Sequence, residues 1–103
     1  MQIIIDLDGT ICTEEKTYSR SLAIVKKRAK EAIQKLFDEG NTIIIYSSRS
    51  WMEYEMTFSW LKKNEIPFHQ LILGKPIGDF WIDDRAIQFK DDWENILKVI
   101  NKK

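Results

Sequence analysis

The stretch Ile3-Ile4-Ile5-Asp6-Leu7-Asp8-Gly9-Thr10 constrains this chain more than any other. Three β-branched residues in a row predict a strand buried on both faces. The run stops at an acid. Asp6 and Asp8 are two residues apart, so an extended chain points both carboxylates to one side. Gly9 follows where the chain must leave the sheet, a place that suits positive φ. Unpaired like charges repel and lose hydration, and a divalent cation between them offsets both costs. An Asp-Gly pair is also a common turn, and an acid at a strand end can simply solvate it. The residues downstream decide between the two.

Residues 9–20 are polar and irregular, longer than the roughly 2–6 residues usual between packed elements. They predict a flap over the strand end or a mobile loop. From about 21 to 39, Leu22, Val25, Ala29, Ala32, Ile33, Leu36 and Phe37 recur at helical spacing. The opposite face, with Lys26, Lys27, Arg28, Lys30 and Lys35, is an anion patch or a solvated surface. Gly40 stands where a left-handed cap is expected. Residues 42–46 predict a second buried strand, ending at Ser47-Ser48-Arg49. Ser50 and Glu53 then form a capping box for a helix to about Lys63. That helix is apolar around much of its circumference, with Met52, Met56 and Trp60 in one row, a face suited to a second copy of the chain. Residues 68–73 and Phe80-Trp81-Ile82 predict a third and a fourth strand, and residues 86–89 an edge strand. Asp91 or Asp92 caps a last helix with Trp93, Ile96, Leu97 and Ile100 inward.

Strands alternating with helices predict an α/β fold: a Rossmann-like three-layer sandwich, its sheet mainly parallel with helices on both faces. The 103 residues suit one domain, 1–103. Sixteen basic and sixteen acidic residues balance, so no global field favours nucleic acid or an anionic membrane. Cys12 is alone, which excludes a disulfide framework and a thiolate zinc site and fits a reducing, cytoplasmic location. No apolar run approaches the roughly 20 residues of a membrane span. The first strand begins almost at once, leaving no room for a signal peptide.

In such sheets ligands bind beyond the carboxyl ends of the strands. Asp6 and Asp8 end the first strand, Ser47 the second, and Asp83-Asp84 the fourth. Lys75 lies in the turn before the fourth. Three carboxylates around one point suit Mg²⁺, and a hydroxyl and an ammonium beside them suit a phosphoryl group. The reaction class is phosphoryl transfer, with an aspartyl-phosphate as one route.

With these residues in place, the chain resembles the haloacid dehalogenase superfamily of phosphatases. Asp6-Leu7-Asp8-Gly9-Thr10 matches the first motif, Ser47 the second, Lys75 the third, and Asp83-Asp84 the fourth in its double-Asp form. The segment from Gly74 to Ala86 looks like that of a capless subgroup associated with capsule and surface-polysaccharide synthesis. The resemblance implies that Asp6 is the nucleophile and that Asp8 is general acid, then base. It implies Mg²⁺ held by Asp6, the Asp8 carbonyl and Asp84, with Asp83 behind it. Ser47 and Lys75 would hold the phosphoryl group, with Gly9, Thr10, Ser48 and Arg49 around it, and the substrate would be a phosphorylated sugar or related metabolite. Neither the flap nor residues 50–74 leave room for a cap domain, so an open site is expected. That opening also admits a macromolecular phosphate, although the balanced charge argues against nucleic acid. A non-catalytic phospho-ligand domain is the remaining alternative; retention of both Asp6 and Asp8 disfavours it.

Other residues carry two readings. Arg49 reaches a second anionic group or makes a surface ion pair. Trp51 walls the pocket or packs in the core. Asp79 orients Lys75 or caps the turn. His69 is expected to be structural.

Overall fold

Alternating apolar residues explain which face of the sheet is covered. A computed structural model describes residues 1–102. Strands β1 (Gln2–Ile5), β2 (Thr42–Tyr46) and β3 (Gln70–Ile72) form one parallel sheet in the order β1-β2-β3. Ile3 pairs with Ile43, Ile5 with Ile45, and Ile45 with Leu71, so these side chains share a face. They join one buried cluster with Ile33 and Leu36 of helix α1 (Ala29–Asp38), Trp60 and Leu61 of α2 (Tyr54–Lys63), and Trp93 and Ile96 of α3 (Trp93–Asn101). Burying each large aliphatic side chain is worth about 1.5–3 kcal/mol.

The α/β class with a parallel sheet is therefore as the sequence predicts, and the helices' buried residues belong to one face. The other face carries Ile4, Ile44 and Ile72, and Ile4 is 61% exposed. On that same face Ile44, in the central strand, is only 7% exposed. The exposure of Ile4 has a local reason: among the described residues no fourth strand lies beyond β1, which is an edge.

Phe80-Trp81-Ile82, expected as that strand, forms no ladder, nor do residues 86–89. Ile82 is 100% exposed and Phe80 89%. Gly74, Pro76 and Gly78 interrupt the approach to this short run. Beyond it, Asp83 Oδ1 accepts the Arg85 backbone N–H at 2.8 Å and bends the chain.

Helix α1 starts at Ala29, eight residues later than its periodicity predicts. A 3₁₀ turn occupies Thr17–Leu22, and Arg28 has φ +70° immediately before the helix. Val25 is extended instead, bridged antiparallel to Cys12. The β-branched pair Ile24-Val25 favours that conformation. The remaining helix signals hold. Ser50 Oγ accepts the Met52 N–H and Glu53 accepts the Ser50 N–H, completing the capping box. Asp92 caps α3 through the Asn95 N–H at 3.1 Å. Gly40 closes α1 at φ +91°. His69 is structural as expected: its Nδ1 accepts the Ile43 N–H at 3.0 Å and its ring stacks on Phe37. No helix among the described residues is long and apolar enough to cross a membrane.

Candidate active site

Beyond the carboxyl end of β1 the chain turns sharply. Gly9 takes φ +84°, and the Leu7 carbonyl accepts the N–H groups of Thr10, Ile11 and Cys12 at 2.8–3.2 Å. This turn fixes Asp6 and Asp8 at the mouth of a cleft of about 190 Å³, which Lys75, Ser48 and Trp81 also line. From the other side of the chain, Trp93 Nε1 donates to the Thr10 carbonyl at 3.0 Å and ties the turn to α3.

Asp6 is the accessible carboxylate, its side chain 36% exposed. Thr10 Oγ1 donates to its Oδ2 at 3.3 Å, and Lys75 Nζ lies 3.5 Å from its Oδ1. Lys75 is placed by backbone pairing beyond the strands: its N–H donates to the Ser47 carbonyl, and that of Gly74 to the Arg49 carbonyl, both at 2.9 Å. The ammonium also sits over the Tyr46 and Trp81 rings. Gly74 has φ +77°, and a Cβ there would meet Trp51 Nε1 at 2.8 Å. Trp51 thus packs against this turn and stacks on Tyr54, outside the cleft.

Asp8 is held differently. Arg49 Nε donates to its Oδ2 at 2.8 Å and Nη2 to its Oδ1 at 2.7 Å, a bidentate pair. Arg49 Nη1 reaches Thr57 Oγ1 of α2 at 3.0 Å. Neither sequence reading of Arg49 anticipated this, because its whole side chain is buried. Burial opposes its charge, but the hydrogen bonds and charge of Asp8 outweigh it and hold the guanidinium above its usual value. Removing one partner of a buried pair costs about 3–5 kcal/mol, so Arg49 is a structural anchor for Asp8.

Cys12 lies just behind, fully buried. Desolvation, reinforced by the Asp8 charge, pushes its thiol up to about 12 against the opposing pull of Arg49. A thiol so raised has almost no thiolate at pH 8. We expect it to resist a disulfide reagent at that pH in native protein and to react at once in denaturant. Rapid native labelling would show that the turn opens.

Ser47 is buried, and its Oγ accepts the Arg49 N–H at 3.2 Å; it is Ser48 that lines the cleft. Asp83 and Asp84, expected beside Asp6, lie instead in the exposed segment that follows Lys75. A divalent cation needs several hard oxygens around one point. Here Thr10 and Lys75 meet Asp6, Arg49 takes both Asp8 carboxylate oxygens, and no three His, Cys, Asp or Glu side chains among the described residues form a metal-holding group. The expected Asp8 ligand is its backbone carbonyl, which the Arg49 pair leaves alone; what the arrangement lacks for Mg²⁺ is Asp84 or Asp83 beside Asp6.

A larger hollow, about 460 Å³, lies elsewhere, between Val25–Glu31 and Lys63–Glu65. Size does not make it the site. Three of its cations are already paired: Lys26 with Asp91, Arg28 with Glu94, and Lys30 with Glu65.

A parallel α/β sheet with two carboxylates and a lysine beyond its strand ends belongs with proteins that bind ligands at that edge. The chain belongs to the haloacid dehalogenase-like hydrolase family, whose profile matches residues 3–102. No curated protein matches it. Among solved structures it is similar to a target protein from Vibrio cholerae, with a TM-score of 0.72 and 21% identity over 96% of this chain and 98% of that one. It is also similar to a chain of the Pnkp1/Rnl/Hen1 RNA repair complex, with a TM-score of 0.62 and 22% identity over 96% of this chain but 30% of the other. At these identities the likeness shows the fold.

Proposed function

We propose that this chain is a phosphomonoester hydrolase working through an aspartyl-phosphate, on a phosphorylated sugar or related metabolite. The observation that carries this reading is the accessible Asp6 carboxylate, held by Thr10 and Lys75 at the mouth of the cleft. Asp6 attacks phosphorus; the ester P–O bond breaks, an acyl-phosphate bond forms, and the leaving oxygen takes its proton from Asp8. Water then attacks the same phosphorus, its proton goes to Asp8, and inorganic phosphate leaves Asp6 free. Lys75 offsets the charge of nucleophile and phosphoryl group. Once it has given that proton, Asp8 is a double acceptor of Arg49, which suits it as the base in the second step. A Mg²⁺ requirement is part of the proposal and calls for Asp84 or Asp83 to come in beside Asp6.

The open cleft supports a second reading, a phosphatase of macromolecular phosphate, and the likeness to an RNA repair protein is compatible with it. Phosphate release from sugar phosphates, nucleotides, phosphorylated oligonucleotides and an aryl phosphate tests both, with Mg²⁺ and with EDTA. Release from small esters, lost in EDTA, is expected. Release from oligonucleotide ends alone would favour the second reading. No release from any substrate would overturn both.

A further inference from the structure

The cleft has a second wall that the reaction does not use. The chain between β1 and α1 closes on itself: Thr13 N–H donates to the Ile24 carbonyl, Lys26 N–H to the Ile11 carbonyl, and Ile24 N–H to Thr13 Oγ1, at 2.8–3.0 Å. The loop so formed is a fixed flap, and it brings Glu14 and Arg20 to the cleft beside Asp6 and Lys75. Neighbouring Glu15 is held by Thr13 Oγ1 at 2.8 Å, whereas Glu14 is exposed and makes no ion pair among the described residues.

Arg20 is anchored in an unusual way. Its Nη1 alone donates to both Glu53 oxygens, at 2.7 and 2.8 Å, and Glu53 is itself fixed by the capping box of the 3₁₀ turn Trp51–Glu53 that leads into α2. The forked edge that guanidinium normally offers to a partner stays unused. Its Nε is buried with no partner, alone in this among the side-chain nitrogens and oxygens of the described residues. A buried charged donor left unmade is costly, and such a group in a native fold calls for an explanation. Nε itself is closed off, but the adjoining Nη2 is not buried and bonds to no described residue, so it is the donor left for a ligand oxygen in the cleft.

Charge selects the ligand. A second anionic group on the substrate would meet Glu14, and a cationic group would meet Arg20. A neutral polyhydroxylated group satisfies both, since its oxygens accept from guanidinium and its hydroxyl hydrogens go to carboxylate. We infer that Glu14 and Arg20 form a specificity site for the hydroxyls of a sugar or polyol phosphate. The inference rests on the hydrolase reading only in placing the phosphoryl group at Asp6.

Calorimetric binding tests it without turnover, in the Asp6→Asn protein with Mg²⁺ present. The probes are glucose 6-phosphate, ribose 5-phosphate and glycerol 3-phosphate, against ethyl phosphate, which has no hydroxyl. Hydrogen bonds to charged groups predict roughly 10–100-fold tighter binding of the best polyol phosphate. Arg20→Met or Glu14→Gln should remove most of that ratio and leave ethyl phosphate within about threefold, since neither touches the phosphoryl end. Retained ethyl phosphate binding also shows that the variants fold. A parent ratio near one, or variants that weaken all probes alike, would overturn the inference. Phosphate release is a separate readout: no hydrolysis with the binding ratio intact would sink the hydrolase reading and leave the specificity site standing.

Discussion

Asp6→Asn is expected to abolish phosphate release, lowering kcat by at least roughly 10⁴-fold. An amide has the shape of the carboxylate but cannot attack phosphorus to give an acyl phosphate. Asp6 is only partly buried and its contacts are long, 3.3 Å to Thr10 and 3.5 Å to Lys75. The substitution should therefore change stability by no more than about 1 kcal/mol, as for a partly exposed ion pair. Activity and urea denaturation measured on one preparation separate the two effects. A folded, active Asp6→Asn protein would remove Asp6 from the nucleophile role, and the aspartyl-phosphate with it.

The second large effect concerns stability. Trp93→Ala should cost about 3–5 kcal/mol, because it leaves a cavity where a large ring was buried. Against a total of about 5–15 kcal/mol for a small domain, that is a substantial share. Trp93 is nearly fully buried in the core cluster and lies against Phe89 with ring centroids 5.3 Å apart. Trp93→Phe keeps most of that packing and loses the bond to the Thr10 carbonyl, a loss of about 1 kcal/mol. The urea midpoint should drop far for Ala and little for Phe. A drop for Ala equivalent to less than about 1 kcal/mol would mean that α3 is not part of the cooperative core.

The parts of this fold that were legible in sequence are those decided within a few residues. Ile3–Ile5 and Thr42–Tyr46 announce strands by composition. Gly9 and Gly40 stand where backbone geometry demands positive φ. Ser50 with Glu53, and Asp92, announce helix starts because a cap is a local hydrogen bond. What was illegible depends on distant partners. Phe80-Trp81-Ile82 has a strand's composition, but a strand exists only when a neighbour accepts its ladder. Val25 fits a helical period until Cys12, thirteen residues earlier, claims it. Arg49 reads as a surface cation after two serines; its burial is decided by Asp8 and Thr57, on two other elements. Arg20 gave no motif at all. The signal available was its position in a flap beside the carboxylates, paired with a glutamate already placed by a capping box.

The bond from Trp93 to the Thr10 carbonyl spans 83 residues of chain. Contacts of such long separation form late, since the loop they close must be ordered before they return anything. Strand β1 is near the beginning of the chain and the element that steadies its carboxylate turn is near the end. The turn's own bonds to the Leu7 carbonyl are local and Arg49 holds Asp8 without α3, so what the docking of α3 adds is the last tie, at the Thr10 carbonyl. The final steadying of this site thus comes from the far end of the described chain, through an indole that never touches the chemistry.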